Sequence, residues 1–354
     1  MDHRATLAPG DIRRARRENS KMRERDLAAQ LGISEAQLVA AHCGEGVVRI
    51  EPDVTVLLNG LEAVGEVMAL TRNDSAVHEK IGVYDKVHTG SQNAMVLGDE
   101  IDLRIFPRVW AHGYAVEKRD GEEVRRSLQF FDAAGEAIHK VHLRPASDVS
   151  AFEALVARMT SADQSAELAV TRAGNDNTVA GGAAEPADAA ELRDRWTAMT
   201  DVHQFHGILR SLKLTRHQAV NAIGEDFAWR LDLDALQAMF AHAVNEQLPI
   251  MCFVGNRGCI QIHSGPIHTV KPMGPWINIM DPTFHLHLRM DHISELWAVR
   301  KPTRDGHVTS LEAYGEDRSM IIQFFGQRSE GGVERPDWRM LAEGLPRIAR
   351  TSAA

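Results

Sequence analysis

A chain of 354 residues exceeds one ordinary hydrophobic core and predicts two domains or two halves. With 44% hydrophobic and 25% charged residues and a net charge of −9, it reads as globular, with no whole-chain attraction to nucleic acid or an anionic membrane. Three cysteines without a CxxC pair (Cys43, Cys252, Cys259) exclude a disulfide framework, no apolar run reaches the roughly 18 residues of a membrane span, and no secretory h-region is visible. A reducing, cytoplasmic setting is expected.

Residues 11–29 read as a helix carrying Arg13, Arg14, Arg16, Arg17, Lys21, Arg23 and Arg25, interleaved with Glu18, Glu24 and Asp26. Such a run is ordinarily a solvated, salt-bridged face. The continuation to Leu38 has helix-turn-helix form, with Gly32 at the turn. Short apolar runs then predict strands at 54–58, 94–97, 101–105, 114–117, 127–131 and 138–143, with hairpin turns at 118–121 and 132–135. Residues 151–159 predict an amphipathic helix. Between Thr171 and Ala189 the chain lacks large apolar side chains and predicts a flexible linker. Helices follow at 191–196, 203–212, 214–222 and 233–245, then strands at 250–254, 259–263, 276–280, 285–290, 296–299, 309–314 and 320–325.

The two halves match by offset. A shift of 183 carries Ala115-Val116 onto Ala298-Val299, Ser127-Leu128 onto Ser310-Leu311 and Phe131 onto Tyr314. In the helical part a shift of 181 carries Leu31 onto Leu212 and Val39 onto Val220. The expected architecture is α+β, a tandem duplication in which each half is an antiparallel sheet layer with flanking helices. Its parts are an N-terminal repeat (1–165), a linker (166–189) and a C-terminal repeat (190–354).

Where the copies differ, chemistry can be added to the shared core. Asp201-Val202-His203-Gln204-Phe205-His206 places two histidines on one helix face. Asp201 and Gln204 have the form of a capping pair, which puts His203 in the first turn, where the helix dipole favours a neutral, metal-ligating ring. Isolated histidine pairs are usually structural. This one belongs to the second copy alone, since Met22, Arg25 and Glu35 stand where His203, His206 and Arg216 do. In the sheets, Arg104 lies on the face of its strand opposite Leu103 and Ile105, and falls on His287.

The pieces DVHQFHGILR, IDLRIF, LWAVRKPT, SLE and QFFGQR, spread through a duplicated chain from about residue 12 to 348, resemble the HemS/HmuS/ChuS family of haem-trafficking and hemin-degrading proteins. The resemblance implies haem b (iron protoporphyrin IX) as ligand, lying between the halves. His203 would be the axial iron ligand, His206 an alternative, and Arg104 the distal, candidate catalytic residue. Arg216, Lys301 and Arg328 would meet the two propionates. Gln323 and Gly326 match the terminal pattern, Phe253 matches a pocket phenylalanine, and Phe324 and Phe325 would add apolar wall. Phe325 stands where several members have tyrosine, which predicts altered polar anchoring.

The expected function is cytoplasmic haem binding and trafficking for iron release, with an inner-membrane importer and a downstream haem oxygenase as partners. The alternative is a haem-degrading enzyme fed by an external reductant; it shares every binding residue. Two further readings are weaker. A DNA regulator using the basic helix conflicts with the acidic whole and the repeat. A non-haem metal site at His285, His287 and His292 lacks a completing carboxylate or cysteine.

Overall fold

In the computed structural model, which describes residues 7–171, 186–329 and 332–348, three helices open the chain: α1 (Pro9–Glu18), α2 (Glu24–Leu31) and α3 (Glu35–Ala40). The basic stretch is thus two helices, broken at Asn19, whose side chain bonds back to Ala15 O. Gly32 closes α2 in the left-handed region (φ 69°), and Ser34 and Gln37 form a reciprocal capping box that starts α3. The helix-turn-helix spacing is real, but α3 is no recognition element. Its Glu35, Ala36, Leu38, Val39 and Ala40 are buried, with Ala36, Val39 and Ala40 in one core with Tyr114, Val116 and Phe131.

The first copy continues through β1 (Val47–Ile50), α4 (Val54–Val64), β2 (Val67–Arg72), β3 (Ala76–Gly82), β4 (Val87–His88), β5 (Ala94–Leu97), β6 (Asp102–Ile105), β7 (His112–Asp120), β8 (Glu123–Phe131), β9 (Ala137–Leu143) and α5 (Val149–Met159). Its antiparallel strands run β1-β7-β8-β9-β2-β3, with a separate run β4-β5-β6. Residues 54–58, expected as a strand, begin α4. The Asp53 carboxylate caps the helix by accepting from Val56 N–H at 3.0 Å, and Val54, Leu57, Leu58, Leu61 and Val64 bury one helical stripe. The β-branched valines misled by propensity, which tertiary burial overrides.

The second copy holds α6 (Pro186–Thr197), α7 (Gln204–Leu212), α8 (Arg216–Ala222), β10 (Ala228–Leu231), α9 (Asp234–Asn245), β11 (Ile250–Gly255), β12 (Cys259–Gly265), β13 (Val270–Met273), β14 (Trp276–Met280), β15 (Phe284–Arg289), β16 (Glu295–Thr303), β17 (Gly306–Tyr314), β18 (Met320–Gly326) and α10 (Pro336–Gly344). Its strands run β10-β16-β17-β18-β11-β12 and β13-β14-β15. Residues 172–185 of the expected linker lie outside the described residues, while Pro186–Thr197 is helical.

Registers repeat as the offset requires. Ala115 pairs Leu128 as Ala298 pairs Leu311, and Leu128 pairs Val141 as Leu311 pairs Phe324. Even the irregularity at Phe130/Phe131 recurs at Ala313/Tyr314. By contact, the chain divides into two compact units: Met1–Arg72 with His78–Gly174 and Gly255–Gln261, and Asn73–Val77 with Asn175–Val254 and Ile262–Ala354. In the second, Leu192, Trp196, Phe205, Ile208 and Val220 pack on Trp297, Val299 and Tyr314 at one sheet face. Leu236, Met239, Phe240 and Trp338 pack with Phe324 in the main core.

Candidate functional site

Residues 201–203 form the turn into α7, which begins at Gln204, so His203 sits at the N-cap (φ −70°, ψ −23°) and not in the first turn. Half of the expected capping pair forms: Gln204 Oε1 accepts from Thr200 N–H at 2.9 Å and from Asp201 N–H at 3.3 Å. The Asp201 carboxylate turns instead on His203, accepting its backbone N–H at 2.7 Å and its ring Nδ1–H at 2.7 Å. These two bonds hold the Asp201 carboxyl below its usual range. A ring that donates Nδ1–H to a carboxylate keeps its lone pair on Nε2. His203 has 69% of its side chain exposed, leaving that ring accessible to a ligand. Carboxylate-oriented imidazoles of this kind are the usual metal-ligating form.

His206 follows on the same helix. Although the residue is exposed, desolvation together with the Arg216 and Lys301 charges pushes its ring down to about 4, so it is neutral at pH 7. Those two cations converge on Glu312, a fully buried carboxylate of β17. Arg216 donates from Nε at 2.8 Å and from Nη2 at 2.6 Å; Lys301 Nζ donates at 2.9 Å, Ser310 Oγ at 2.7 Å and Tyr314 Oη at 2.6 Å. Burial would raise the Glu312 carboxyl, but Arg216 and Lys301 hold it well below the usual range. Burial lowers Lys301 to about 8 against the pull of Glu312. The Phe205 ring lies 5.1 Å from each cation.

Strand register then sets a row of side chains on one sheet face. Glu312 pairs Gln323, and Gln323 pairs Phe253, so the three stand side by side across β17, β18 and β11. Phe325 pairs Met251 and meets the Phe253 ring edge-on at 5.1 Å. Both rings are partly exposed. Phe324, expected as pocket wall, points the other way: it is fully buried and packs edge-on against Phe240 at 5.2 Å. Gln323 Nε2 is buried with no partner among the described residues. Arg328, just past β18, acts electrostatically on Asp201, which ties the His203 turn to this end of the face. Among the described residues it forms no ion pair.

Arg104 belongs to the first unit. Its strand alternates as expected, with Leu103 and Ile105 buried and Arg104 opposite Met95 on the other face. Its guanidinium bonds Asp102 and, at 3.2 Å, Leu103 O. The histidine trio makes no metal site: among the described residues no three His, Cys, Asp or Glu could hold an ion. His287 Nδ1 bonds Asn278 at 2.6 Å and His292 Nδ1 bonds Ser75 at 3.0 Å.

The profile of the haemin-degrading HemS.ChuX domain matches residues 32–159 and again 213–345. The chain belongs to that family. The hemin transport protein HmuS of Yersinia pestis is 42% identical over 327 residues, covering 92% of this chain and 93% of that protein. Among solved structures, holo-PhuS, a heme-binding protein from Pseudomonas aeruginosa, aligns with a TM-score of 0.91 and 43% identity over 97% of this chain and 100% of its own. The heme degrading enzyme ChuS of Escherichia coli O157:H7 aligns at 0.84 and 37%, covering 94% and 96%. No helix among the described residues is long and apolar enough to cross a membrane.

Within this HemS.ChuX member, sequence reasoning assigned no role to Glu312, although the residue ends the SLE motif, nor to Tyr314. A carboxylate alternating with Ser310 and Tyr314 on a strand otherwise written for burial was the available signal.

Proposed function

We propose that this chain binds ferric haem b with His203 as axial ligand and carries it through the cytoplasm, from an inner-membrane importer toward iron release. The observation that carries the reading is the exposed His203 ring with Nδ1 committed to Asp201 and Nε2 left as the coordinating atom. The surroundings fit an iron porphyrin. Phe253 and Phe325 offer partly exposed apolar rings, and Gln323 Nε2 is a buried donor without an acceptor among the described residues. Arg216, Lys301 and Glu312 together carry one net positive charge toward the propionates. Arg216 is the better placed cation, since 16% of its side chain is exposed against 4% for Lys301. His206 is a neutral second ligand one turn along, which suits exchange during transfer.

Relatives named as hemin transport proteins and a heme-binding protein support this reading. Titrating hemin into the apo-protein is expected to give a Soret band saturating at about one haem per chain; no band sinks the proposal. A second reading, haem degradation, is favoured by the likeness to a heme degrading enzyme. There Arg104 would be the catalytic distal group. Reductant and oxygen, with catalase present to remove free peroxide, separate the two. A defined tetrapyrrole product indicates an enzyme, and a stable complex that passes haem to a downstream oxygenase indicates a carrier.

A further inference from the structure

Arg216 has three nitrogens able to donate, and only two of them meet Glu312. Its Nε and Nη2 form the parallel fork on that carboxylate, while Lys301 caps the same Oε1 as Nη2. Ser310 and Tyr314 supply two more donors, so Glu312 cannot swing without stranding several buried groups. Neither position is filled this way in the first copy, where Gln129 stands at the place of Glu312 and Glu35 at that of Arg216. The residue beside Glu312 in register is Gln323, whose Nε2 has no partner among the described residues.

We propose that Glu312 is the positioning residue for carboxylate recognition at this site: by fixing the Nε/Nη2 edge of Arg216 it leaves Nη1 for a carboxylate of the ligand. The proposal rests on the haem reading above and deepens it. Glu312 does not touch the ligand; it decides which face of the guanidinium does. Electrostatics alone predicts the reverse of what this geometry predicts. Removing a negative charge beside two cations strengthens anion binding if charge is all that matters. If orientation matters, the same change weakens it.

The test compares hemin with its dimethyl ester, which keeps the ring and iron but has no free carboxylates. Glu312→Gln is nearly isosteric, and the proposal expects it to weaken hemin binding about tenfold while leaving the ester within about twofold. Arg216→Lys keeps the charge, loses the fork, and is expected to show the same loss of discrimination. It also serves if the glutamine variant fails to fold. The double variant is then expected to be no worse than Arg216→Lys alone. Tighter hemin binding by Glu312→Gln, or equal weakening of acid and ester, overturns the proposal. Absence of any Soret band with the unaltered protein overturns the haem reading instead.

Discussion

The two copies build one polar seam between helix and sheet with the charges exchanged. In the first, the carboxylate sits on the helix: Glu35, at the start of α3, takes Arg72 from β2 and Lys140 from β9. Burial would raise that carboxyl, but Lys140 and Arg72 pull it down to about 2. In the second, the carboxylate is Glu312 on the strand and the helix start supplies Arg216. The apolar registers match residue for residue, so the core tolerated little change while the seam was free to invert. The inversion has a chemical result. Lys140 of the first copy is replaced by the uncharged Gln323, whose Nε2 has no partner among the described residues, and His142 by Phe325. The first copy satisfies its ions internally, and on the proposed reading the second keeps a cation edge and apolar rings for a ligand.

The strongest way to break this contrast is Glu35→Ala. It strands Arg72 and Lys140 in a buried site and is expected to cost about 3 kcal/mol or more in denaturant unfolding, with hemin affinity per folded chain unchanged. A loss of affinity as large as that of a His203 variant would contradict a purely structural seam.

Acid separates the copies next. His139 is fully buried between Tyr84 Oη (2.6 Å) and Thr71 Oγ1 (2.8 Å), and desolvation lowers it to about 3; His142 falls to about 4 for the same first reason. Both pKa values lie below the unfolded value of about 6.5, so the unfolded chain takes up protons first as pH falls. The stability contributed by keeping these rings neutral is present above about pH 6.5 and is lost progressively toward about pH 4 for His142 and about pH 3 for His139, by up to about 1.4 kcal/mol per pH unit for each ring. Ile322 and Phe325 hold the matching places in the second copy and do not titrate. Hydrogen exchange at pH 5 against pH 7, corrected for intrinsic rates, is expected to loosen β2 and β9 before β11 and β18. The opposite order removes the argument.

The smallest effect lies in the helix turns. Gly32 (φ 69°) and Lys213 (φ 52°) are equivalent left-handed caps. Lys213→Gly is expected to stabilise by about 0.5–1 kcal/mol and Gly32→Ala to destabilise by a similar amount. Thermal shifts of the same sign for both substitutions would show that the caps are not equivalent.

What the sequence made legible follows from what repeats. Strands written as alternating apolar runs were placed well, and the offset gave the duplication because packing constrains both copies alike. It also held the cure for the misread α4. Shifted by 182, Val54, Leu57, Leu58 and Leu61 fall on Leu236, Met239, Phe240 and Ala243, buried positions of α9, whose helical pattern was plain. Strands β1, β2, β3, β4, β10 and β13 escaped: β1, β10 and β13 mix apolar and polar side chains over four residues, β4 has only two, and β2 and β3 carry Met, Ala, Leu, Glu and Lys, which favour helix. At the site, the histidines showed themselves by lacking counterparts. Glu312 also differs from its counterpart Gln129, but its partners come from three elements, α8, β16 and β17, and nothing in the local pattern says that these meet.

The most direct test of the whole account is the hemin titration of His203→Ala beside that of His206→Ala. The account expects His203→Ala to weaken binding about tenfold or more and to move the Soret maximum, with any residual ligation abolished by adding His206→Ala. If His203→Ala leaves the spectrum and affinity unchanged while His206→Ala abolishes ligation, the exposed, Asp201-oriented imidazole is not the iron ligand, and the central claim fails.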